Sequence, residues 1–192
     1  VDKTAKLRLF FGLEIPQAIK QRLLQIQQPV AGARWQRADQ LHLTLAFLGS
    51  VDAGRLPVVC DAARNLPVEP FELTVCGIGC FGAPDRPKNL WAGVQPKEDL
   101  VRLHCALDQG LAQSGLAGER RRFHPHITLS RFKKGAGPVT ELLQSPEQLV
   151  VGSFAVDRFA LFQSVRGEQG SVYQIIERFT MMDQGKIDSA DG

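Results

Sequence analysis

Two seven-residue stretches of this chain alternate apolar and polar residues and carry the same polar residues in the same places. LHLTLAF occupies 41–47 and PHITLSR occupies 125–131. His42, Thr44 and Leu45 return as His126, Thr128 and Leu129, each 84 positions further on. One H-x-T-L match arises by chance at the level of about a few per cent from average residue usage, so two of them mark a repeated unit. Strict alternation is the pattern of a strand with one buried face. On a strand, residues i and i+2 project from the same side, roughly 6.6–7 Å apart. Each H-x-T therefore offers an imidazole and a hydroxyl together, while Leu43 or Ile127 anchors the strand from behind.

The rest of the chain supplies more strands and a few helices. RLFFGLEI (8–15) reads as a strand and PQAIKQRLLQIQQ as a helix with Pro16 in its first turn and Ile19, Leu23 and Ile26 on one face. In QLHLTLAFLG, alternation turns Leu41, Leu43, Leu45 and Phe47 one way and His42, Thr44 and Ala46 the other, with Gly49 as the end of the strand. A helix follows through AGRLPVVCDAARNL, Pro57 fitting only in its first turn. FELTVCGIGCF and NLWAGVQ read as strands joined by GAPDRPK. PKEDLVRLHCALDQGLAQSGL is the clearest helix, with a stripe of Leu100, Leu103, Leu107 and Leu111 and acidic Glu98 and Asp99 at its start. RRFHPHITLSRF reads as a strand, GPVTELLQS as a short helix, and LVVGSFAVDRFALFQ and SVYQIIERFTM as strands around the turn VRGEQG. Strands and helices are interspersed without the regular alternation of a doubly wound sheet, so the expectation is an α+β fold with mostly antiparallel sheet. At 192 residues the chain is expected to form one domain over 1–183, with a polar frayed tail over 184–192.

Two H-x-T strands facing one another would set two imidazoles on opposite sides of one small site. An unperturbed imidazole titrates near pH 6.5, which suits one to take a proton from water and the other to give one to a leaving group. The threonine hydroxyls can donate hydrogen bonds to an anionic oxygen between them.

These motifs resemble those of the 2H phosphoesterases, which are defined by two H-x-[T/S]-x motifs. Within that superfamily the chain is most similar to the RNA 2′,3′-cyclic phosphodiesterases, once named bacterial 2′–5′ RNA ligases. RLFFGLEIP, RWQRADQLHLTLAFLG, NLWAGV, FHPHITLSR and SVYQIIERFTM carry the resemblance, which spans about residues 7–182. It implies a bilobal fold with pseudo-two-fold symmetry, in which a pair of mostly antiparallel sheets with flanking helices surrounds a central active-site cleft. It implies hydrolysis of 2′,3′-cyclic phosphate ends of RNA to 2′-phosphomonoesters, with no metal and no cofactor, and a chemically allowed reverse ligation. Carried onto this chain, His42 would be the proton donor and His126 the proton acceptor, with Thr44, Thr128 and Arg131 on the phosphate. Arg131 poses a problem of parity, since on an ideal strand it points away from His126 and reaches the phosphate only through a bulge or at the strand's end. Another cyclic or 2′–5′ linked nucleotide is the alternative substrate, and a non-catalytic RNA-end-binding module is the alternative from a different class.

Plainer readings compete at several residues. His124 shares a face with His126 but lacks the threonine two residues on, and it aligns with Gln40, so it is taken as peripheral. His104 falls in the amphipathic helix and reads as a satisfied helix residue. A metal reading of HPH needs further ligands that neither His42, His104 nor the scattered carboxylates supply at suitable spacing. Cys60, Cys76, Cys80 and Cys105 complete no zinc pattern and read as reduced thiols in the cytoplasm. No apolar run is long enough for a membrane span and no signal peptide is read at the start. The net charge of +3 does not by itself point to nucleic acid, but the run ERRRFHPHITLSRFKK holds six basic residues around the motif. Trp35, Trp91, Phe10 and Phe11 are candidates for stacking a base, with core packing the plainer role for each. The chain is expected to act as a monomer.

Overall fold

The computed structural model describes residues 5–116, 122–133, 135–144, 149–168 and 170–182. Residues 184–192 and the basic residues Arg120, Arg121 and Lys134 lie outside these, and with them the expected tail and half of the basic run. β1 (Lys6–Glu14) leads through Pro16 into α1 (Gln17–Leu24), which buries Ile19 and Leu23. The helix is shorter than its apolar spacing predicts. From Gln25 to Gln27 the amides bond three residues back, to Arg22, Leu23 and Leu24, so the helix tightens into a last turn ahead of Pro29. β2 (Ala33–Trp35), which the sequence pattern did not reveal, precedes β3 (His42–Asp52). α2 (Leu56–Ala63) carries Pro57 in its first turn, as expected. β4 (Phe71–Ala83) and β5 (Arg86–Gln95) form a hairpin. α3 (Lys97–Gln113) buries Leu100, Leu103, Leu107 and Leu111 completely, each worth roughly 1.5–3 kcal/mol of transfer from water. β6 (Ile127–Phe132) is followed by a single 3-10 turn at Glu141–Leu143 where a short helix was expected. β7 (Val150–Val156), β8 (Arg158–Gly167) and β9 (Gly170–Thr180) complete the chain.

The α+β class with antiparallel strands is what the structure shows. The strands run in the order β7-β4-β5-β6-β3-β1-β8-β9, with β2 added to β6, and every pairing is antiparallel. The two arms, β7-β4-β5-β6 and β3-β1-β8-β9, meet where β3 and β6 pair at Leu43 and Ile127. Each motif strand lies beside the strand that precedes it across a helix: β1, α1 and β3 in one arm, β5, α3 and β6 in the other. The repeat in the sequence is therefore a repeat in the topology. One core cluster runs from Leu9 to Met181 beneath both arms, and a second small one joins Phe10, Ala160 and Phe162 on the opposite face.

Alternation holds in β3 only as far as Leu45. Gly12 pairs with Thr44 but Phe11 pairs with Ala46, so Leu45 and Ala46 together oppose one residue of β1. This bulge turns both Leu45 and Ala46 into the main core and brings Phe47 to the face of His42, contrary to the simple alternation. A second irregularity follows at Leu48, where Gly49 takes a left-handed conformation (φ 68°). Glycine accepts that conformation without strain, so the ladder bends and continues to Asp52 instead of stopping.

Gly79 of β4 pairs with Trp91 of β5, and a Cβ on Gly79 would fall 2.2 Å from the indole ring. The glycine thus lets the ring lie across β4. Gly79→Ala is expected to displace Trp91 and destabilise the protein by about 1–3 kcal/mol, the usual cost of overpacking. Urea unfolding, read with tryptophan fluorescence of the native state, checks both parts. An unchanged midpoint together with an unchanged spectrum would refute the account.

Candidate active site

The Leu43–Ile127 pairing fixes which residues of the two motifs share a face. Both side chains are fully buried, so their neighbours along each strand point the other way. Antiparallel register sets His42 across from Thr128 and Thr44 across from His126, all four on one face. Both threonines are half-buried, and among the described residues neither hydroxyl has a protein partner. The two H-x-T motifs thus enclose one polar patch with two free hydroxyls and two imidazoles.

The imidazoles are held alike. His42 Nδ1 lies 2.7 Å from the carbonyl oxygen of Gln40, and His126 Nδ1 lies 2.6 Å from that of His124. A carbonyl oxygen only accepts, so each Nδ1 carries a proton and each neutral ring has its lone pair on Nε2. His126 itself lies one residue before β6, where the extended approach His124–His126 provides this carbonyl. His124 and Gln40, aligned in the sequence, do the same work through their backbones.

Their surroundings differ. His42 packs among Phe10 (4.9 Å between ring centroids), Tyr173 (4.7 Å, edge-on) and Phe162 (6.1 Å). His126 sits against Phe81 (5.1 Å, edge-on) and Trp91 (6.1 Å), with the His124 ring at 5.9 Å. Burial pushes His42 down to about 4, against the bond its Nδ1 donates to the Gln40 carbonyl, and the charges of Arg131, His126 and Lys20 push the same way as burial. His126 is also lowered, chiefly by burial, with smaller contributions from His124 and Arg131. Both rings are neutral at pH 7 in the free protein.

Arg131 acts on both histidines because β6 contains the same bulge as β3. Trp91 pairs with Thr128 but Leu90 pairs with Ser130, so Leu129 and Ser130 together face the core. The parity then reverses, and Arg131, opposite Asn89, returns to the site face. Leu129 and Ser130 are the repeat equivalents of Leu45 and Ala46, and Arg131 is the equivalent of Phe47. The parity problem is solved by a feature present in both copies.

Among the sequence candidates, Phe10 and Trp91 line the site, whereas Phe11 is wholly buried in the main core. Trp35, opposite Ser130 in the register of β2 and β6, lies on the core side and donates its Nε1 proton to the Gln28 carbonyl. Tyr173, Phe162, Phe81 and Phe47 escaped the sequence reading because hairpin curvature and bulges, not local pattern, bring them in. His104 donates to or accepts at no site group. Its Nδ1 meets the Leu45 carbonyl at 2.9 Å and its ring stacks on Phe123. All four cysteines are unpaired, and among the described residues no three His, Cys, Asp or Glu side chains form a metal-holding group. No helix of the described residues is long and apolar enough to cross a membrane.

The structure thus places a repeated H-x-T pair on one face with a guanidinium beside it. The LigT-like phosphoesterase family model matches residues 13–91 and 93–173, and the chain belongs to that family. The RNA 2′,3′-cyclic phosphodiesterase of Escherichia coli K12 is 32% identical over 178 residues, covering 91% of this chain and 96% of that one. The enzyme of the same name from Thermus thermophilus is 30% identical, covering 97% and 96%. Among solved structures, Escherichia coli LigT complexed with 3′-AMP superposes with a TM-score of 0.77 at 30% identity, over 93% of this chain and 99% of that one.

The lowered histidines carry a stability consequence. An unfolded histidine titrates near 6.5 and the folded His42 near 4, so between these values the unfolded chain binds more protons. Stability is therefore complete above about pH 6.5 and falls as the pH drops toward about 4. Glu14, Asp39 and Asp157, held low by hydrogen bonds from Arg178, Arg37 and Arg158, contribute only at more acid pH. Urea unfolding between pH 7 and 5 is expected to show this decline, and His42→Gln with His126→Gln should flatten it. Equal slopes in the two proteins would count against buried neutral histidines.

Proposed function

We propose that this protein hydrolyses 2′,3′-cyclic phosphate ends of RNA to 2′-phosphomonoesters by a two-histidine acid–base mechanism that uses neither metal nor cofactor. The observation that carries this reading is the pair of H-x-T motifs on one face, each imidazole with Nδ1 tied to a carbonyl and Nε2 free. The relatives that bear the name RNA 2′,3′-cyclic phosphodiesterase, and the likeness to LigT complexed with 3′-AMP, support the choice of substrate.

In this mechanism His126 Nε2 takes a proton from water as the water oxygen bonds to phosphorus. The bond from phosphorus to the 3′ oxygen breaks, and protonated His42 gives its Nε2 proton to that oxygen. The products are a 2′-phosphate and a 3′-hydroxyl, and a proton moves from His126 to His42 through solvent to reset the site. Thr44 and Thr128 donate to the non-bridging oxygens, where charge accumulates, and Arg131 offers its guanidinium to the same oxygens. Running backwards, the site would join a cyclic end to a 5′-hydroxyl. Both motifs come from one chain, which supports a monomeric enzyme, and four unpaired thiols support a cytoplasmic location.

His42→Ala or His126→Ala is expected to cost about 10²–10⁴-fold in turnover while the fold persists. His124→Ala keeps the carbonyl that holds His126 and should retain activity within about tenfold by the same measure. Product analysis on an RNA with a 2′,3′-cyclic end, run beside 2′–5′ linkages and cyclic mononucleotides and with a chelator, is the decisive assay. A 3′-phosphate product, activity in the double histidine variant, or inhibition by the chelator that added metal restores would each overturn the mechanism.

The pH dependence follows from the same groups. Activity needs one imidazole protonated and one neutral, so kcat/KM rises as the first pair proton leaves and falls as the second leaves. With both rings lowered in the free protein, the kcat/KM bell should lie below pH 6.5. The kcat bell should lie higher, because bound anionic phosphate favours the charged imidazole. Coincident kcat and kcat/KM profiles would contradict this.

A further inference from the structure

Beside the motif, the register of β2 with β6 sets Arg34 directly across from Arg131. Antiparallel partners share a face, so the bulge that brings Arg131 to the site face brings Arg34 there as well. Like charges directly opposite one another on paired strands repel and destabilise the sheet. Arg37, Arg64, Arg102, Arg158 and Arg178 each hold a carboxylate, and Arg22 and Arg55 bond backbone carbonyls. Arg34 and Arg131 are both exposed, and among the described residues neither has an ion pair or a hydrogen bond.

A third cation approaches from the other arm. Along β8 the residues Phe162, Ser164 and Arg166 alternate onto one face, and Ser164 pairs with Tyr173, whose ring lies on His42. The tip of this β8–β9 hairpin is fastened beside the motif, since buried Gln40 donates from Nε2 to the Ser171 carbonyl at 2.9 Å and accepts the Arg37 amide at 3.1 Å. Arg34 Nη2 reaches this tip, lying 3.7 Å from where a Cβ on Gly170 would stand, next to Gln40 Nε2. Arg166, across from Ser171, is likewise exposed and without an ion pair among the described residues, Glu168 in the same turn included.

Resting on the function proposed above, we infer that Arg34 and Arg166 form a second anion subsite beyond Arg131. It takes the phosphodiester on the 5′ side of the terminal nucleotide while the cyclic phosphate lies between His42 and His126. The substrate this site fits is thus the end of a chain, not a lone nucleoside cyclic phosphate. Repulsion between Arg34 and Arg131 in the free protein is relieved when two phosphates of one strand lie between and beside them. Guanidinium groups suit this because each offers paired N–H donors to phosphate oxygens.

The test compares a dinucleotide ending in a 2′,3′-cyclic phosphate with the corresponding nucleoside 2′,3′-cyclic phosphate, in wild type, Arg34→Gln and Arg166→Gln. Arg34→Gln is expected to lower kcat/KM on the dinucleotide about tenfold or more, as for loss of a charge-assisted phosphate contact. On the nucleoside the same variant should stay within about twofold, as for a residue that makes no contact there. The salt dependence on the dinucleotide should shallow by about 0.7 in log–log slope per charge removed. Equal losses on the two substrates, or no loss on either, would overturn the subsite. Anisotropy titration of a labelled oligonucleotide ending in a 3′-phosphate reads binding without turnover. If wild type hydrolyses neither substrate, the functional reading fails, yet weaker binding by Arg34→Gln than by wild type still upholds the subsite and unchanged binding still refutes it.

Discussion

The pairing of Leu43 with Ile127 joins the two arms of the sheet, and the arrangement of the site follows from it. Both side chains are fully buried in a core shared by the two arms. Because side chains alternate with a period of two, a slip of one residue in either strand would turn an imidazole and a hydroxyl into that core. Each polar group left there without a partner would cost roughly 1–3 kcal/mol. The apolar residues between histidine and threonine therefore set the register, and the polar ones inherit their positions. The strength of the site's geometry is the strength of core packing, not of bonds among the site residues, of which the described residues show none between the motifs.

From that centre outward, the two copies share a backbone device and diverge in what it delivers. A bulge at Leu45–Ala46 and another at Leu129–Ser130 reverse the parity at the same offset from each histidine. One delivers Phe47, an aromatic ring in contact with Phe10; the other delivers Arg131, a charge felt by both histidines. α3 braces both copies from behind, with His104 on the Leu45 carbonyl and stacked on Phe123, which precedes the second motif. Symmetry thus gives the pair of imidazoles, and divergence at one position per copy gives the site face a charged side and an apolar one.

How much of this the sequence disclosed depends on whether the cause was local. The H-x-T pairs were legible because alternation and identity coincide over seven residues, and the leucine stripe of α3 because its period of contacts is its own. The bulges were not, since a bulge is decided by which partner residue is skipped, and the partner lies in another strand. For that reason alternation alone points Phe47 toward the core, turns Arg131 away from the site and ends the strand at Gly49, where the ladder only bends. β2, three residues long, carries too little alternation to register, yet it supplies Arg34. Phe162 reaches His42 because β8 pairs with β1 opposite Phe10, and Tyr173 because β9 pairs with β8 in a hairpin that Gln40 fastens from 131 residues away. No pattern in either segment announces that meeting.

The depressed histidines bear on the proposed mechanism, in which a general acid that rests neutral at pH 7 cannot donate. His42 drops from 6.5 to about 4 when it is buried among Phe10, Phe162 and Tyr173 near Arg131. An opposite charge about 4 Å away at a protein surface is worth about 4 kcal/mol, or roughly a thousandfold in proton affinity. One phosphate anion seated between the threonines therefore offsets the whole depression and returns the ring to the neutral range. The same anion screens His42 from Arg131, which removes part of what lowered it. In the proposed mechanism burial would keep the acid unarmed in the free protein, and the substrate's own charge would arm it. In that mechanism a neutral ligand of the same shape would meet the site face without creating the imidazolium, so selectivity for an anionic ester would reside in protonation as much as in contact.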